Sequence, residues 1–307
     1  MMDTKEKEML IHIINAMDKA ENISNEIKRV CPPQQCLRFS IDKDKQPSIF
    51  DNKLGGKPYW DLALSYPTDE KGKPMAMVFQ VNFEQCPHLE PLPAKGILQF
   101  FISSDEDIIC EGYGCDYDNP NNQTNYRIVY HKDVNRNIDE SLLPKHLTYE
   151  ELGDYTPVKK ECALTVKADE SCVSITCKEF DSLFVSAVKK LYNDEITDQF
   201  FIVDEYLTKD MPEDLVEEVG SELFDTNPMY NGPDEYNFQM LGFPAFEQVD
   251  ERTEDSKYDT LLLQIPSINS DEEITIWGDC GSMRVFINQD DLNECNFSNV
   301  HYEFQCY

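Results

Sequence analysis

The residues best suited to hold a metal ion lie in one acidic stretch of the chain. Asp105, Asp107, Asp116 and Asp118 are close together in the sequence, and neighbouring asparagines add further oxygens. Hard oxygen ligands in a flexible loop suit Ca²⁺, although the spacing is not that of an EF-hand. A calcium site is therefore one hypothesis for this stretch, and a solvated acidic loop is the other.

A second kind of chemistry would use a cysteine nucleophile. Cys280 lies between Asp279 and Gly281 in a tight turn, but Gly278 and Gly281 do not have the spacing of a nucleophile elbow. A base would also be needed, and nothing in the sequence places one of these nearby: His88, His131 and His301. There is no phosphate-binding loop, dinucleotide motif or zinc-protease motif. The sequence therefore favours a non-enzymatic protein without a cofactor.

The two tryptophans offer a third kind of site. Trp60 follows Gly55-Gly56, and Trp277 precedes Gly278. Glycine-rich turns that present an indole could line a ligand-binding cleft, whereas the alternative is that both tryptophans anchor the core. The residues predicted for such a ligand site are Trp60, Gln80, Gln264, Trp277, Gly278 and Asp279.

An internal repeat relates the elements that carry these residues. Three segments recur in the same order: Leu54–Trp60 with Leu241–Phe246, Met77–Val81 with Leu261–Ile265, and Gly96–Ser103 with Gly281–Asn288. Gln80 is thereby aligned with Gln264. The repeat predicts an α+β fold made of two related, mainly antiparallel β units.

The remaining segments complete the predicted organisation. Strands are expected over Leu37–Ile41, Met75–Phe83, Ile97–Ile102, Tyr126–His131, Leu261–Ile265 and Met283–Ile287, and a long loop over Asp105–Asn125. Helical spacing over Lys5–Val30 indicates an N-terminal helix that breaks near Asn22. Strands over Cys162–Val166 and Cys172–Cys177 would form a hairpin, and two helices should follow, over Phe180–Leu191 and from Pro212 to Phe224. We expect one compact domain with an N-terminal helical segment (1–36), a first repeat (37–140), a helical and acidic connector (141–235) and a second repeat (236–307).

The charge of the chain is its most extreme property. The sequence has 59 acidic and 27 basic residues, a net charge of −32. This field repels nucleic acids and anionic membranes and attracts a basic protein, although it could also serve only to keep the protein soluble. The start of the chain lacks a signal-peptide pattern, and 11 cysteines without a CxxC pair are typical of free thiols in a reducing compartment. We therefore expect a cytoplasmic protein.

At these motifs the sequence resembles the YwqG family of uncharacterised bacterial proteins. The segments that carry the resemblance are Leu54–Tyr59, Tyr66–Asp69, Phe79–Glu84, Leu92–Phe101, Leu241–Pro244, Asp259–Ile265, Trp277–Asp279, Asp291-Leu292, Asn296–Val300 and Cys306. The chain departs from the family pattern at Cys280, where a small residue is usual, and at Ala245-Phe246, which makes a carboxylate site there doubtful.

The resemblance implies an α+β fold of two related halves and a family without an established activity. Relatives lie in gene neighbourhoods that also encode secreted toxins and their immunity proteins, which is an associational hint. With the charge, this favours a protein-interaction role, such as an immunity protein that binds a basic partner. The alternative is an enzyme or small-ligand binder that uses a cleft between the two repeats. The sequence does not indicate an oligomeric state.

Overall fold

The computed structural model describes residues 19–145, 147–192, 213–223, 237–253, 256–269 and 272–306. The chain divides into two compact units. We call them the helical unit (residues 1–34, 170–232 and 243–251) and the sheet unit (residues 35–169, 233–242 and 252–307). Most of the predicted N-terminal helix, and the predicted end residues Pro212 and Phe224, lie outside the described residues.

Among its described residues, the helical unit contains three helices: residues 19–30, Phe180–Tyr192 and Glu213–Leu223. Residues 19–30 are helical without interruption, so the predicted break near Asn22 is wrong. Ala20, Ile23 and Ile27 recur at helical spacing and are buried, which explains the continuity. Glu26 links two of the helices, since Lys190 Nζ lies 2.7 Å from its carboxylate.

The sheet unit is built on a ten-stranded sheet with the order β12-β11-β8-β7-β1-β6-β2-β3-β4-β5, and β9 and β10 form a separate pair. The strands are β1 (Gln34–Asp42), β2 (Lys53–Leu54), β3 (Ala76–Asn82), β4 (Ile97–Ile102), β5 (Tyr126–His131), β6 (Cys162–Ser171), β7 (Gln239–Met240), β8 (Thr260–Pro266), β9 (Ile268–Asn269), β10 (Glu273–Thr275), β11 (Ser282–Ile287) and β12 (Val300–Gln305). Short helices are Glu106–Cys110, Tyr149–Leu152 and Gln289–Asn293, and 3-10 turns are Phe83–Gln85 and Glu140–Leu142.

The antiparallel sheet of an α+β fold is confirmed. Pairing is antiparallel within β2-β3-β4-β5 and within β7-β8-β11-β12, as it is between β1 and β7 and between β2 and β6. The strands predicted over Leu37–Ile41, Met75–Phe83, Ile97–Ile102, Tyr126–His131, Leu261–Ile265 and Met283–Ile287 are confirmed, with small differences at their ends.

Two local predictions are wrong. No hairpin interrupts β6, which runs straight through Ala168-Asp169-Glu170. That segment lacks the glycine, proline or asparagine that a tight turn favours, and Lys167 neutralises Asp169 at 2.9 Å within the strand. The stretch predicted as loop over Asp105–Asn125 begins with the helix Glu106–Cys110, which buries Ile108 and Ile109.

The main core lies on the inner face of the curled sheet. Alternation along β4 sends Leu98, Phe100 and Ile102 to this face, where they are buried. The ring of Tyr302 on β12 lies 5.1 Å from that of Phe100 and 4.8 Å from that of Tyr126 on β5. The curl therefore brings the inner faces of the two outermost strands, β5 and β12, into contact.

None of the helices in the described ranges is long and apolar enough to cross a membrane.

Candidate functional site

The structure does not assemble the predicted calcium ligands. Asp105 accepts hydrogen bonds from Lys71 at 2.6 Å and Lys73 at 2.5 Å, and Asp107 accepts one from Lys71 at 2.9 Å. The two ammonium groups hold the pKa of Asp105 well below its usual range. Asp116 instead accepts a bond from the side chain of Asn122. No three acidic, histidine or cysteine side chains of the described residues converge as a metal site, so the geometry lends the calcium hypothesis no support and it stays a prediction.

The two tryptophans lie in different apolar clusters of the sheet unit. Trp60 packs in a small cluster with Ile49 and Phe101, whereas Trp277 belongs to the main core. They are only 3% and 0% exposed. The two indoles therefore do not face a common cleft, and they act as core anchors. A ligand-binding role for any single residue of the predicted set stays a prediction.

The turn around Cys280 shows no catalytic partner. Gly278, Asp279 and Cys280 are exposed, and the Gly278 N–H donates to Tyr113 Oη at 2.8 Å. The three candidate bases make their hydrogen bonds or ion pairs elsewhere: His88 to Glu90, His131 to Gln99 and His301 to Glu303. Within the described chain, the geometry thus gives the Cys280 thiol no base.

What the fold does assemble is a chain of buried polar side chains on the outer face of the sheet. Gln80 and Gln99 are opposite each other on β3 and β4 and are 0% exposed. The amide nitrogen of Gln80 donates to the carbonyl oxygens of Ile49 and Asp51, and its Oε1 accepts from Tyr59 N and from Gln99 Nε2. These bonds fasten the segment between β1 and β3 to the sheet.

The same chain fixes the protonation of His131. Both protons of the Gln99 amide are used, on Tyr59 O at 2.7 Å and Gln80 Oε1 at 2.8 Å, so Gln99 Oε1 must accept. His131 Nε2, 3.1 Å away, therefore carries the proton, and Nδ1 does not. Burial lowers the pKa of His131 to about 4, against a weaker opposing effect of Asp61. The imidazole is neutral at physiological pH and orders the aromatic rings of Tyr59 and Trp60 around it.

A corresponding set of polar residues lies on the other half of the sheet. Arg284 is fully buried on β11, opposite Gln264 on β8 and Glu303 on β12. Its guanidinium donates to Glu303 Oε1 and to Ser282 Oγ, both at 2.7 Å. Burial alone would raise the pKa of Glu303, but His301 and Arg284 outweigh it and the net effect lowers that pKa.

These side chains follow one register across the sheet. On one half of the sheet, three of them lie opposite one another on successive strands: Lys53, Gln80 and Gln99. On the other half, five do so: Arg38, Gln239, Gln264, Arg284 and Glu303. Of this polar row, the sequence predicts only Gln80 and Gln264 as site residues. The available signal was the polar residue in the middle of each apolar strand, because the repeat already aligned Gln99 with Arg284.

An open groove of about 550 Å³ lies where the curled sheet brings its two ends together. One wall comes from residues 122–124 and from β5, and the other from residues 295–298 before β12. Gln123 spans the groove, since its Nε2 donates to the carbonyl oxygens of Phe297 and Ser298 at 3.1 Å. Arg127 is the one charged side chain among the lining residues, so the groove contains no acid–base pair.

The acidic residues are unevenly neutralised at this end of the sheet. The helix Glu106–Cys110 has Lys71 and Lys73 beside it, as described above. The helix Gln289–Asn293 begins with Asp290 and Asp291 and is followed by Glu294, and no salt bridge reaches these three in the part of the chain that the structure describes. This second helix leaves uncompensated negative charge next to the groove.

Comparison with known proteins supplies a family but no activity. A search of the curated proteins finds no match. The model of a domain family of unknown function, DUF1963, matches residues 52–306. That span contains most of the sheet unit, including the groove and all of the polar row except Arg38. The match covers more than half of the 307 residues, and the chain therefore belongs to the DUF1963 family of unknown function.

Proposed function

We propose that this protein is a non-enzymatic interaction protein that binds a basic protein partner through its acidic surface. The observation that carries the proposal is the net charge of −32, from 59 acidic against 27 basic residues. A field of this size speeds the encounter with a cationic partner and fixes its orientation. It also disfavours nucleic acids and anionic membranes as partners.

The arrangement of the charges supports a surface for binding over a uniform solubilising coat. Lysines cover Asp105 and Asp107, whereas Asp290 and Glu294 are exposed and unpaired among the described residues. A partner that supplies lysine or arginine side chains would complete these pairs. A carboxylate that becomes buried at an interface costs less free energy when a cation of the partner pairs with it than when it is left alone. A basic partner is therefore favoured over a neutral one at this surface.

The partner class that fits best is a toxin-like protein with a basic active site, which would make this chain an immunity-type protein of the cytoplasm. A protein that covers a cationic site needs acidic side chains but no catalytic machinery of its own. The absence of a base beside Cys280 in the described chain agrees with this reading. The resemblance to the YwqG family points in the same direction.

We also propose that the sheet unit arose by duplication. The strand order is symmetric about β1 and β6, with β2-β3-β4-β5 on one side and β7-β8-β11-β12 on the other. In each half, a glutamine lies opposite a polar residue of the neighbouring strand. Gln80 on β3 faces Gln99 on β4, and Gln264 on β8 faces Arg284 on β11. Successive residues in the left-handed region follow β2 and β7, with φ of 60° and 71° at Gly55 and Gly56 and of 62° and 76° at Leu241 and Gly242.

The positive φ angles pair Gly55 with Leu241. The sequence repeat instead pairs Leu54 with Leu241, so the two alignments differ by one residue. Leucine rarely adopts this conformation, and Leu241 is buried where glycine stands in the first half. A helical, acidic connector between the two repeats remains part of this proposal.

A small-ligand binder remains the second candidate, with the groove as its site. The groove lies between the two halves, although none of the residues predicted for a ligand site lines it, and it offers amide and hydroxyl groups and one guanidinium. Its lining would suit a polar ligand but provides no nucleophile–base pair, so this candidate is a binding protein and not an enzyme.

The test begins with the immobilised protein and a lysate of its own organism at low salt, with elution by a salt gradient. A single basic protein released at a defined salt step is the expected result. Its affinity should then fall steeply as ionic strength rises, because exposed charges are screened. Only diffuse, weak capture of many basic proteins would refute the proposal.

A matched pair of variants makes the test specific. Asp290→Asn with Glu294→Gln removes two unpaired charges, and Glu84→Gln with Asp133→Asn removes two that pair with Arg136 and Lys95. The first pair should weaken the captured partner about tenfold or more, whereas the second should change its affinity little. Equal effects would mean that only total charge matters.

A further inference from the structure

The two edges of the curled sheet are treated differently by the chain. At the β12 edge, the Tyr302 N–H donates to Pro120 O at 3.1 Å, and the Tyr302 carbonyl accepts from Cys115 Sγ at 3.3 Å. The segment around residues 115–120 therefore covers that edge. Protecting an edge in this way is common, because an open one invites pairing with another chain.

Among the described residues, a side-chain amide covers the β5 edge at one point. Gln123 Oε1 accepts from the Ile128 N–H at 2.9 Å, so the backbone of Ile128 faces away from β4. The nitrogen of the same amide donates across the groove to Phe297 O and Ser298 O. The oxygen of the Gln123 amide thus accepts a hydrogen bond from β5, and its nitrogen donates to the segment on the other side of the groove. The peptide group of a strand inserted into the groove would make the same two kinds of bond.

Beyond Gln123 the edge is open. Alternate residues of a strand face the same side, so the N–H and C=O of Tyr130 point outward like those of Ile128. In the described residues these two groups of Tyr130 make no hydrogen bond. The half-buried Tyr130 ring lies 5.2 Å from that of the buried Phe297, so Tyr130 packs against the core beside the edge.

We propose that the β5 edge from Ile128 to Tyr130 binds an extended basic segment of a partner protein by β-strand addition, in the groove beside residues 295–298. The inference rests on the proposed function for the charge of the partner, and it adds the site and the mode of binding. Main-chain hydrogen bonds to Tyr130 would hold the segment, and alternate side chains would contact the exposed part of the Tyr130 ring.

The charges around the groove select a basic segment. Three carboxylates lie next to residues that line the groove. The lining residues Asn122 and Asn296 donate hydrogen bonds to Asp116 and Asp291, and Glu294 directly precedes the lining residue Cys295. Arg127 is the only cation among the lining residues, and its Nε is already bonded to the Gln123 carbonyl at 3.1 Å. Lysines or arginines on the outward face of an added strand would meet this negative rim.

The test uses a defined probe, an eight-residue peptide of alternating lysine and valine, with the full-length protein. Titration at low salt should give saturable binding and slow the hydrogen exchange of the Tyr130 amide, measured by NMR. A copy of the peptide with N-methyl groups along one edge cannot donate to the strand. It should bind about tenfold more weakly, as expected for the loss of one or two main-chain hydrogen bonds.

Two variants at one position separate the backbone from the side chain. Tyr130→Ala and Tyr130→Pro both remove the ring, and only the second also removes the outward N–H. Proline is tolerated on an edge where that N–H is free. The proline variant should bind the peptide about tenfold more weakly than the alanine variant. If the proline variant unfolds, the N-methylated peptide on the unaltered protein still decides the matter.

The outcomes distinguish this inference from the proposed function. Binding that ignores both N-methylation and the proline overturns strand addition and leaves an acidic surface for a basic partner. A glutamate–valine peptide that binds as well as the lysine–valine peptide overturns the basic partner and leaves an open edge. No binding of any of these peptides at millimolar concentration overturns the site, and dimerisation of the free protein through β5 in light scattering would assign the edge to a second copy of the chain.

Discussion

The stability of the sheet unit should fall when the solution is acidified through the titration range of His131. Its imidazole is buried beside Tyr59 and Trp60, and its pKa is lowered from 6.5 to about 4. Because the folded pKa is depressed, the stabilisation from the neutral histidine is complete above pH 6.5, declines as the pH falls from 6.5 to 4, and is gone below 4. A shift of this size corresponds to about 3 kcal/mol, with a slope of up to about 1.4 kcal/mol per pH unit.

The assay compares the protein with His131→Gln, whose amide can still donate to Gln99. Urea unfolding at pH 7, 6 and 5, followed by tryptophan fluorescence, reports the sheet unit, since it contains both tryptophans of the chain. Subtracting the two curves removes the titration of the many carboxylates. From pH 7 to pH 5, the free energy of unfolding of the unaltered protein should fall by about 2 kcal/mol more than that of His131→Gln.

Direct titration of the imidazole by NMR checks the cause. A midpoint of 4 to 5 agrees with burial and with the Nε2–H tautomer that the glutamine chain imposes. A midpoint near 6.5, or parallel stability curves for the two proteins, would refute the reasoning. In that case the imidazole would be hydrated and the chain of amides would not fix its proton.

Three further outcomes follow from the buried polar groups and the strained turn. In urea unfolding, Gln80→Leu should lower the free energy of unfolding by about 4 kcal/mol, because the buried groups that Gln80 bonds lose their hydrogen-bond partner. The same change at the exposed Gln85, which bonds the neighbouring Phe50 carbonyl, should cost under about 1 kcal/mol. Arg284→Leu should cost about 3–5 kcal/mol at pH 7, because the Glu303 carboxylate stays buried with only His301 beside it. Without Arg284 the pKa of Glu303 is lowered less, so the loss in urea unfolding should shrink as the pH falls and Glu303 protonates. Cys280→Gly should raise the melting temperature by a few degrees because φ is 68° there, and a decrease would contradict strain in that turn.

The strands could be predicted because their side chains alternate and their ends are marked by turns. Ile97–Ile102 is predicted to the residue for a different reason, because Gly96 precedes a nearly continuous apolar run of strand length. The full length of β6 is not predicted, because its largely exposed second half, Lys167 to Glu170, interrupts the apolar pattern between two strand-like segments. Its place between β1 and β2 depends on pairing with residues more than a hundred positions away, which local pattern does not encode.

The candidate sites were harder to predict than the strands. Acidic residues near each other in sequence suggested a metal site, but Lys71 and Lys73 come from a different loop and neutralise Asp105. The groove depends on the curl of the sheet, which brings Gln123 to Phe297 across 174 positions. Composition could reveal the net charge, and only the fold could show which carboxylates remain unpaired.

The strand order also has a consequence for how the sheet unit folds. β3-β4-β5 and β8-β11-β12 each join neighbours along the chain, so each set can form locally at a low entropic cost. The middle of the sheet cannot, because Arg38 on β1 bonds Gln239 on β7 across 201 positions. We expect the two outer sets to form early and the central strands to close last, which makes the junction at β1 and β6 the step that limits the folding rate.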